Sequence, residues 1–255
     1  FFGGSTTWGT GVNDANTFPS LFAQRNYVNV INFGETGYIA RQSLAYLSNF
    51  LIKNSINNMS GQHVVFYDGV NDVASRCRVE ISGLGTSREV QIRGFLSGNL
   101  HGKPQYGFSK TFEQITFMIQ DMINKFGLQT QSANQVYLCS SDNNRAKEIA
   151  QSLVDTWQAA SDLVKSRGGN FTAILQPVAY IGTPITNYIN YEKELGEEYK
   201  AVYPLVKEMA KEKNIRFIDL THIYDDCNNC YIDFCHVGPQ AHEILVAHLI
   251  QNLSQ

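Results

Sequence analysis

The sequence predicts an open parallel β-sheet covered by helices on both faces, a three-layer α/β/α arrangement. Three observations carry this expectation. Short runs rich in β-branched and aromatic residues alternate with long segments of helical periodicity. The apolar positions of those long segments recur three and four residues apart. No internal repeat or low-complexity linker interrupts the alternation.

The candidate strands, in order, are Phe1-Phe2, Tyr27 to Ile31, His63 to Tyr67, Phe171 to Gln176 and Ile215 to Ile218. The first is short, because a strand ordinarily needs about five residues. The expectation is therefore that the natural N-terminus lies upstream of Phe1. Between the strands, Ala40, Leu44, Leu47 and Leu51 form one apolar helical face. Ile149, Leu153, Trp157 and Val164 form a second, and Tyr199, Val202, Val206 and Met209 a third. A last helix runs from Pro239, a favourable first helical residue, to about Leu253. The stretch from about 74 to 139 exceeds what a minimal βαβ unit needs. It is glycine-rich and polar, then closes on a helical pattern of Phe112, Ile115, Ile119, Met122 and Phe126. Because it leaves directly after Asn71, it reads as an insertion that shapes a pocket, within one domain spanning 1–255. His101, Lys103, Tyr106, Arg88 and Arg93 are its residues able to touch a ligand.

Composition narrows the function. A chain of 255 residues that is 43% hydrophobic and 17% charged can bury a large core and is not disordered. A formal net charge of −3 gives no electrostatic footprint for nucleic acid. No run approaches the roughly 18 consecutive apolar residues of a membrane span. There are five cysteines. Cys227 and Cys230 lie three apart in a polar loop with no second pair at zinc spacing, which argues against a metal or redox site. A local disulfide and two free thiols both remain open for that pair, and Cys235 reads as a small buried filler.

Four segments carry chemistry. Gly3-Gly4-Ser5-Thr6-Thr7-Trp8-Gly9 places a serine on a glycine turn after the first strand. Asn32-Phe33-Gly34-Glu35-Thr36-Gly37-Tyr38 follows the second strand, and Asp68-Gly69-Val70-Asn71-Asp72 follows the third. Asp233-Phe234-Cys235-His236 precedes the last helix. In an open parallel sheet, the loops at the carboxyl ends of strands gather at one edge, so Ser5, Gly37 and Asn71 converge there. A serine needs a base to accept its proton, and His236 has the right reference pKa. Asp233, three residues earlier, can reach the imidazole and fix its tautomer.

In this order, Ser5, Gly37, Asn71 and His236 resemble the four blocks of the SGNH (GDSL-type) hydrolase family over essentially the whole chain. The resemblance implies a five-stranded, flavodoxin-like parallel sheet and a carboxylic ester hydrolase. It implies a catalytic triad of Ser5, His236 and Asp233. It also implies an oxyanion hole made by the backbone N–H of Ser5, the backbone N–H of Gly37 and the side-chain amide of Asn71. The chemistry needs no cofactor and no metal. Gly34 competes with Gly37 for the second block, and Gly37 is preferred because the helical pattern begins just after it. The first block departs from the family's Gly-Asp-Ser by carrying Gly4, which bears on loop rigidity more than on the reaction. Asp72 reads as a structural carboxylate that holds its turn, and His63, His222, His242 and His248 as structural or solvated.

The expected function is a serine esterase that removes a small acyl group, acetyl in the first instance, from a small-molecule or carbohydrate substrate. An O-acyltransferase would need the same triad, and a binding module of the same fold would be expected to lack the serine or histidine. A phosphate-cradle reading of the first loop fails for want of a Gly-Lys-Ser/Thr ending. A classical α/β-hydrolase elbow would lie deeper in the chain. Family habit and a possible local disulfide favour an exported protein.

Overall fold

A computed structural model describes residues 1–78, 136–190 and 192–253. The chain divides into two compact units, one comprising Phe1–Cys77 with Tyr137–Gln255 and the other Arg78–Val136. Nearly all of the second unit, including the ligand-contact candidates of the expected insertion, lies outside the described residues.

The first unit contains the predicted three layers. Five parallel strands, β1 (Phe2–Gly3), β2 (Phe33–Gly34), β3 (His63–Asp68), β4 (Asn170–Leu175) and β5 (Phe217–Asp219), pair in the order β2-β1-β3-β4-β5. The helices are α1 (Ser5–Trp8), α2 (Phe18–Asn26), α3 (Ala40–Lys53), α4 (Val70–Arg76), α5 (Asn143–Lys165), α6 (Lys193–Glu212) and α7 (Pro239–Leu253).

Successive strand residues point to opposite faces, and the two cores sort accordingly. Val64, Phe66, Ala173 and Leu175 pack in one cluster with Leu47 and Leu51 of α3, Ile149, Leu153 and Trp157 of α5, and Tyr199, Val202 and Val206 of α6. Val65, Tyr67 and Ile174 pack in the other with Phe18, Leu21 and Phe22 of α2 and Leu245, Val246 and Leu249 of α7. The helical faces read from the sequence are the buried ones. Among the described residues, no helix is long and apolar enough to cross a membrane.

The second strand differs from expectation. Tyr27 to Ile31 is apolar enough to be a strand, yet β2 is Phe33–Gly34. Tyr27 instead adopts a left-handed conformation (φ 53°) and caps α2, its N–H bonding to Ala23 O. Tyr27, Val28 and Ile31 stay 96%, 43% and 59% exposed outside the sheet. The Phe33 ring stacks on Phe2 at 4.6 Å and meets Phe50 at 4.8 Å. Helix α2 was not foreseen, although its Thr17 cap, whose side chain accepts from Ser20 N–H, and Pro19 just inside it are ordinary start signals.

Four of the five cysteines are paired. Cys227 and Cys230 form the local disulfide that the sequence left open. Cys77 and Cys139 form a second, 62 residues apart, which nothing in the sequence pointed to. Cys235 is buried and free. The Cys77–Cys139 bond closes a long loop, so its removal should matter. Replacing both residues with alanine is expected to cost about 4 kcal/mol and to lower Tm by roughly 8–16 °C in calorimetry.

Candidate active site

The strand order places β1 and β3 side by side although β2 lies between them in sequence. The chain leaves β1 toward one edge of the sheet and returns to the other side of it, which opens a crevice beyond the carboxyl ends of β1 and β3. Ser5 is the first residue after the β1 turn, and Asn71 follows β3 by three residues. Both sequence-predicted residues flank that crevice.

His236 is brought to Ser5 from the far end of the chain. Ser5 Oγ lies 2.8 Å from His236 Nε2, and His236 Nδ1 lies 2.6 Å from Asp233 Oδ2. An ionised carboxylate can only accept, so Nδ1 carries the proton and Nε2 is left to accept from the serine hydroxyl. The local sequence explains the loop. Asp233 Oδ1 accepts from the backbone N–H groups of Cys235 (2.9 Å) and His236 (2.8 Å), a turn closed by an aspartate on its own backbone. Tyr231 and Val237 bridge across its base, and Ile232 N–H bonds to His236 O at 2.7 Å. Ala179, from the segment after β4, donates to Phe234 O and anchors the turn from outside.

Partial burial pushes the Asp233 carboxyl up, but bonds from the His236 ring and from the His236 and Cys235 backbones outweigh it and hold the group down at about 2. Burial pushes the Cys235 thiol well above its ordinary range, and its Sγ sits 3.6 Å from His236 Nδ1. It is the small buried filler that the sequence suggested.

Asn71 is tied to the loop after β2, its Nδ2 donating to Tyr38 O at 2.9 Å. An amide nitrogen has two N–H groups, so a second donor remains. Gly4 adjoins the same point: a Cβ there would come within 2.4 Å of Asn71 Nδ2. Asn71 as placed thus leaves no room for a side chain at position 4, where the family pattern has aspartate. Ser5 opens α1, so its backbone N–H has no partner inside that helix.

The two glycines of the second block do different things. A Cβ on Gly34 would strike the backbone of Thr7 and Trp8 at 2.3–2.8 Å, so this glycine lets the loop lie against α1. Gly37 has φ +77° and open space where a Cβ would be. Asp72 is 1% exposed and accepts from Ala40 N–H, the first residue of α3, at 3.2 Å. Arg76 lies 3.7 Å away, and the carboxylate ties the start of α3 to α4.

The other histidines sit away from this cluster. His63 bonds Thr172 Oγ1 at 2.8 Å, and burial, with Arg216 nearby, lowers its pKa to about 4. His242 bonds Asn16 O, and His222 pairs with Asp225. Two groups of described residues bring ligand-type atoms within 4.8 Å of one another. In Cys77, Cys139 and Glu198 the sulfurs are already joined to each other. In Asp233, Cys235 and His236 both imidazole nitrogens already hold Ser5 and Asp233. The sequence reading did not single out Thr6, the Tyr38 carbonyl or Gln176. In the sequence Gln176 is only the end of a strand, although a polar residue closing an apolar run is a signal.

No family model matches the chain, and no curated protein matches it by sequence. Solved structures do. A member of the lipolytic protein G-D-S-L family from Veillonella parvula aligns at TM-score 0.54 and 13% identity, over 100% of this chain and 96% of that one. A carbohydrate acetylesterase family member from Sinorhizobium meliloti aligns at 0.51 and 14%, over 99% and 97%. An acetylxylan esterase from Geobacillus stearothermophilus, solved as a catalytic mutant, aligns at 0.51 and 14%, over 99% and 92%. These likenesses show the fold: the chain is built as an SGNH (GDSL-type) hydrolase is built.

The depressed Asp233 carboxyl gives a signed expectation. Its contribution to stability is present above the ordinary value of 3.8 and is lost as pH falls toward about 2. Carbon-detected NMR of Asp233 should show a midpoint near 2, and Asp233→Asn should flatten the stability curve in that window. A midpoint at or above 3.8 would contradict the hydrogen bonding described.

Proposed function

We propose that the protein is a serine esterase that removes a small acyl group, acetyl in the first instance, from a hydroxyl-bearing substrate such as a carbohydrate. The observation that carries the reading is the continuous hydrogen-bonded chain from Ser5 Oγ through His236 to Asp233. It stands at the β1/β3 crevice, where an open parallel sheet binds its ligand. The acetyl preference is supported by the solved structures of similar fold that are described as a carbohydrate acetylesterase family member and an acetylxylan esterase.

Ser5 Oγ attacks the ester carbonyl carbon while its proton passes to His236 Nε2. Asp233, ionised far below neutral pH, stabilises the imidazolium that forms. The carbonyl oxygen takes the negative charge and accepts from the N–H of Ser5, the N–H of Gly37 and the second N–H of Asn71. Collapse breaks the bond to the alcohol, which leaves with the proton from His236. Water then gives a proton to His236 as it attacks the acyl carbon; the bond to Oγ breaks, His236 passes that proton to Ser5 Oγ, and the carboxylic acid leaves.

Hydrolysis of p-nitrophenyl acetate tests this. Ser5→Ala and His236→Ala should fall to the uncatalysed background. Asn71→Ala should lose about 100- to 1,000-fold in kcat with a smaller change in KM, as expected for a donor aimed at the transition state. Activity that survives loss of Ser5 would sink the reading.

A further inference from the structure

Gln176 follows β4 directly and is 2% exposed. Its backbone N–H bonds Asp68 O at 3.0 Å and continues the β3–β4 ladder by one step. Its side chain makes two more bonds. Val70 N–H donates to Oε1 at 3.2 Å, and Nε2 donates to Thr6 Oγ1 at 2.6 Å. A backbone N–H can only donate, so the carbonyl end must face Val70 and the amide orientation is fixed.

Both partners are next to residues of the candidate site. Val70 opens α4 and precedes Asn71, and Thr6 follows Ser5. Strand β4 does not neighbour β1, because β3 lies between them. The Gln176 side chain therefore crosses the end of β3 to reach the turn after β1, bridging strands that are about 4.8 Å apart at each step. Asn71 Nδ2 joins the third loop to the second through Tyr38 O. Gln176 joins the third loop to the first.

We infer that Gln176 is a positioning residue that holds the Ser5 turn at a fixed offset from the Asn71 turn; this rests on the esterase reading above. It touches neither the substrate nor the reacting atoms. Its effect is on the distance between the nucleophile and an oxyanion donor carried by a different loop. Such an offset matters steeply, since a misplacement of about 1 Å can cost about 100-fold in rate. Ground-state binding of a small ester depends on it much less.

The test uses Gln176→Met, close in shape but without polar ends, and Thr6→Val, which removes only the hydroxyl. Each is assayed with p-nitrophenyl acetate across pH and for the rate at which a fluorophosphonate labels Ser5. Gln176→Met should lower kcat and labelling by about 10- to 100-fold, with KM changed by less than about threefold. The acid limb of the pH profile should stay where it is, because the Ser5–His236–Asp233 bonds are untouched. Thr6→Val should move kcat the same way, and the double variant should fall no further than Gln176→Met alone. Wild-type kcat in both single variants, strictly additive losses, or a displaced acid limb would overturn the inference. If Gln176→Met does not fold, Thr6→Val decides, and wild-type kcat there overturns it. Failure of the esterase reading shows differently: the wild type itself would leave Ser5 unlabelled, and the catalytic role of the tether would fall with it.

Discussion

Two residues of backbone pairing hold the candidate site in register. Phe2 and Gly3 pair with Phe33 and Gly34 on one side and with Phe66 and Tyr67 on the other. Ser5 is two residues beyond that pairing, so the ladder sets where the serine emerges. The Phe2 ring, against Phe33, Phe66 and Tyr46, anchors the same point from the core. A two-residue strand has little pairing energy of its own. Its loop is held by side chains: Asn32 Nδ2 donates to Thr7 O, Gln176 holds Thr6, and Asn71 fills the space that Gly4 leaves.

Beneath the loops lies a buried polar layer that links the helices carrying them. Asp72 of α4 joins α3 through Ala40 N–H and pairs with Arg76 on its own helix. Arg76 in turn donates to Ser152 of α5, and its carbonyl accepts from Arg145. Tyr199 of α6 donates to Val70 O, and Glu198 accepts from Cys139 and Ser140 N–H. Asp68, buried beside Asp72 with Trp157 donating to it, is pushed well above the ordinary carboxylate range by its burial. Burial raises Asp72 as well, against the Arg76 guanidinium and the backbone donors that favour its charge. Buried polar groups of this kind specify one arrangement because each alternative strands a donor or acceptor.

The parts legible in the sequence were those encoded locally. Helical periodicity found the buried faces of α3, α5 and α6. The Asp-x-x-His spacing is itself the turn that brings Asp233 to His236, so four residues of sequence suffice. Strand β2 was misplaced because hydrophobicity alone favours Tyr27 to Ile31, whereas the sheet is decided by which aromatic ring finds partners, and those lie 17 to 31 positions away in Phe2 and Phe50. Distance along the chain also hid the tether and the longer disulfide. Thr6 and Gln176 are 170 positions apart, and Cys77 and Cys139 are 62 apart. No propensity or period marks such a pair.

In the proposed mechanism Ser5 carries the acyl group during turnover. Rapid acid quench during p-nitrophenyl acetate hydrolysis, followed by peptide mass spectrometry, reads this directly. An acetyl group should be found at Ser5 in the peptide that contains it, appearing within the first turnover and decaying as substrate is exhausted. Steady turnover with Ser5 unmodified at every quench time, or acetyl found on another side chain whose loss abolishes turnover, would contradict it.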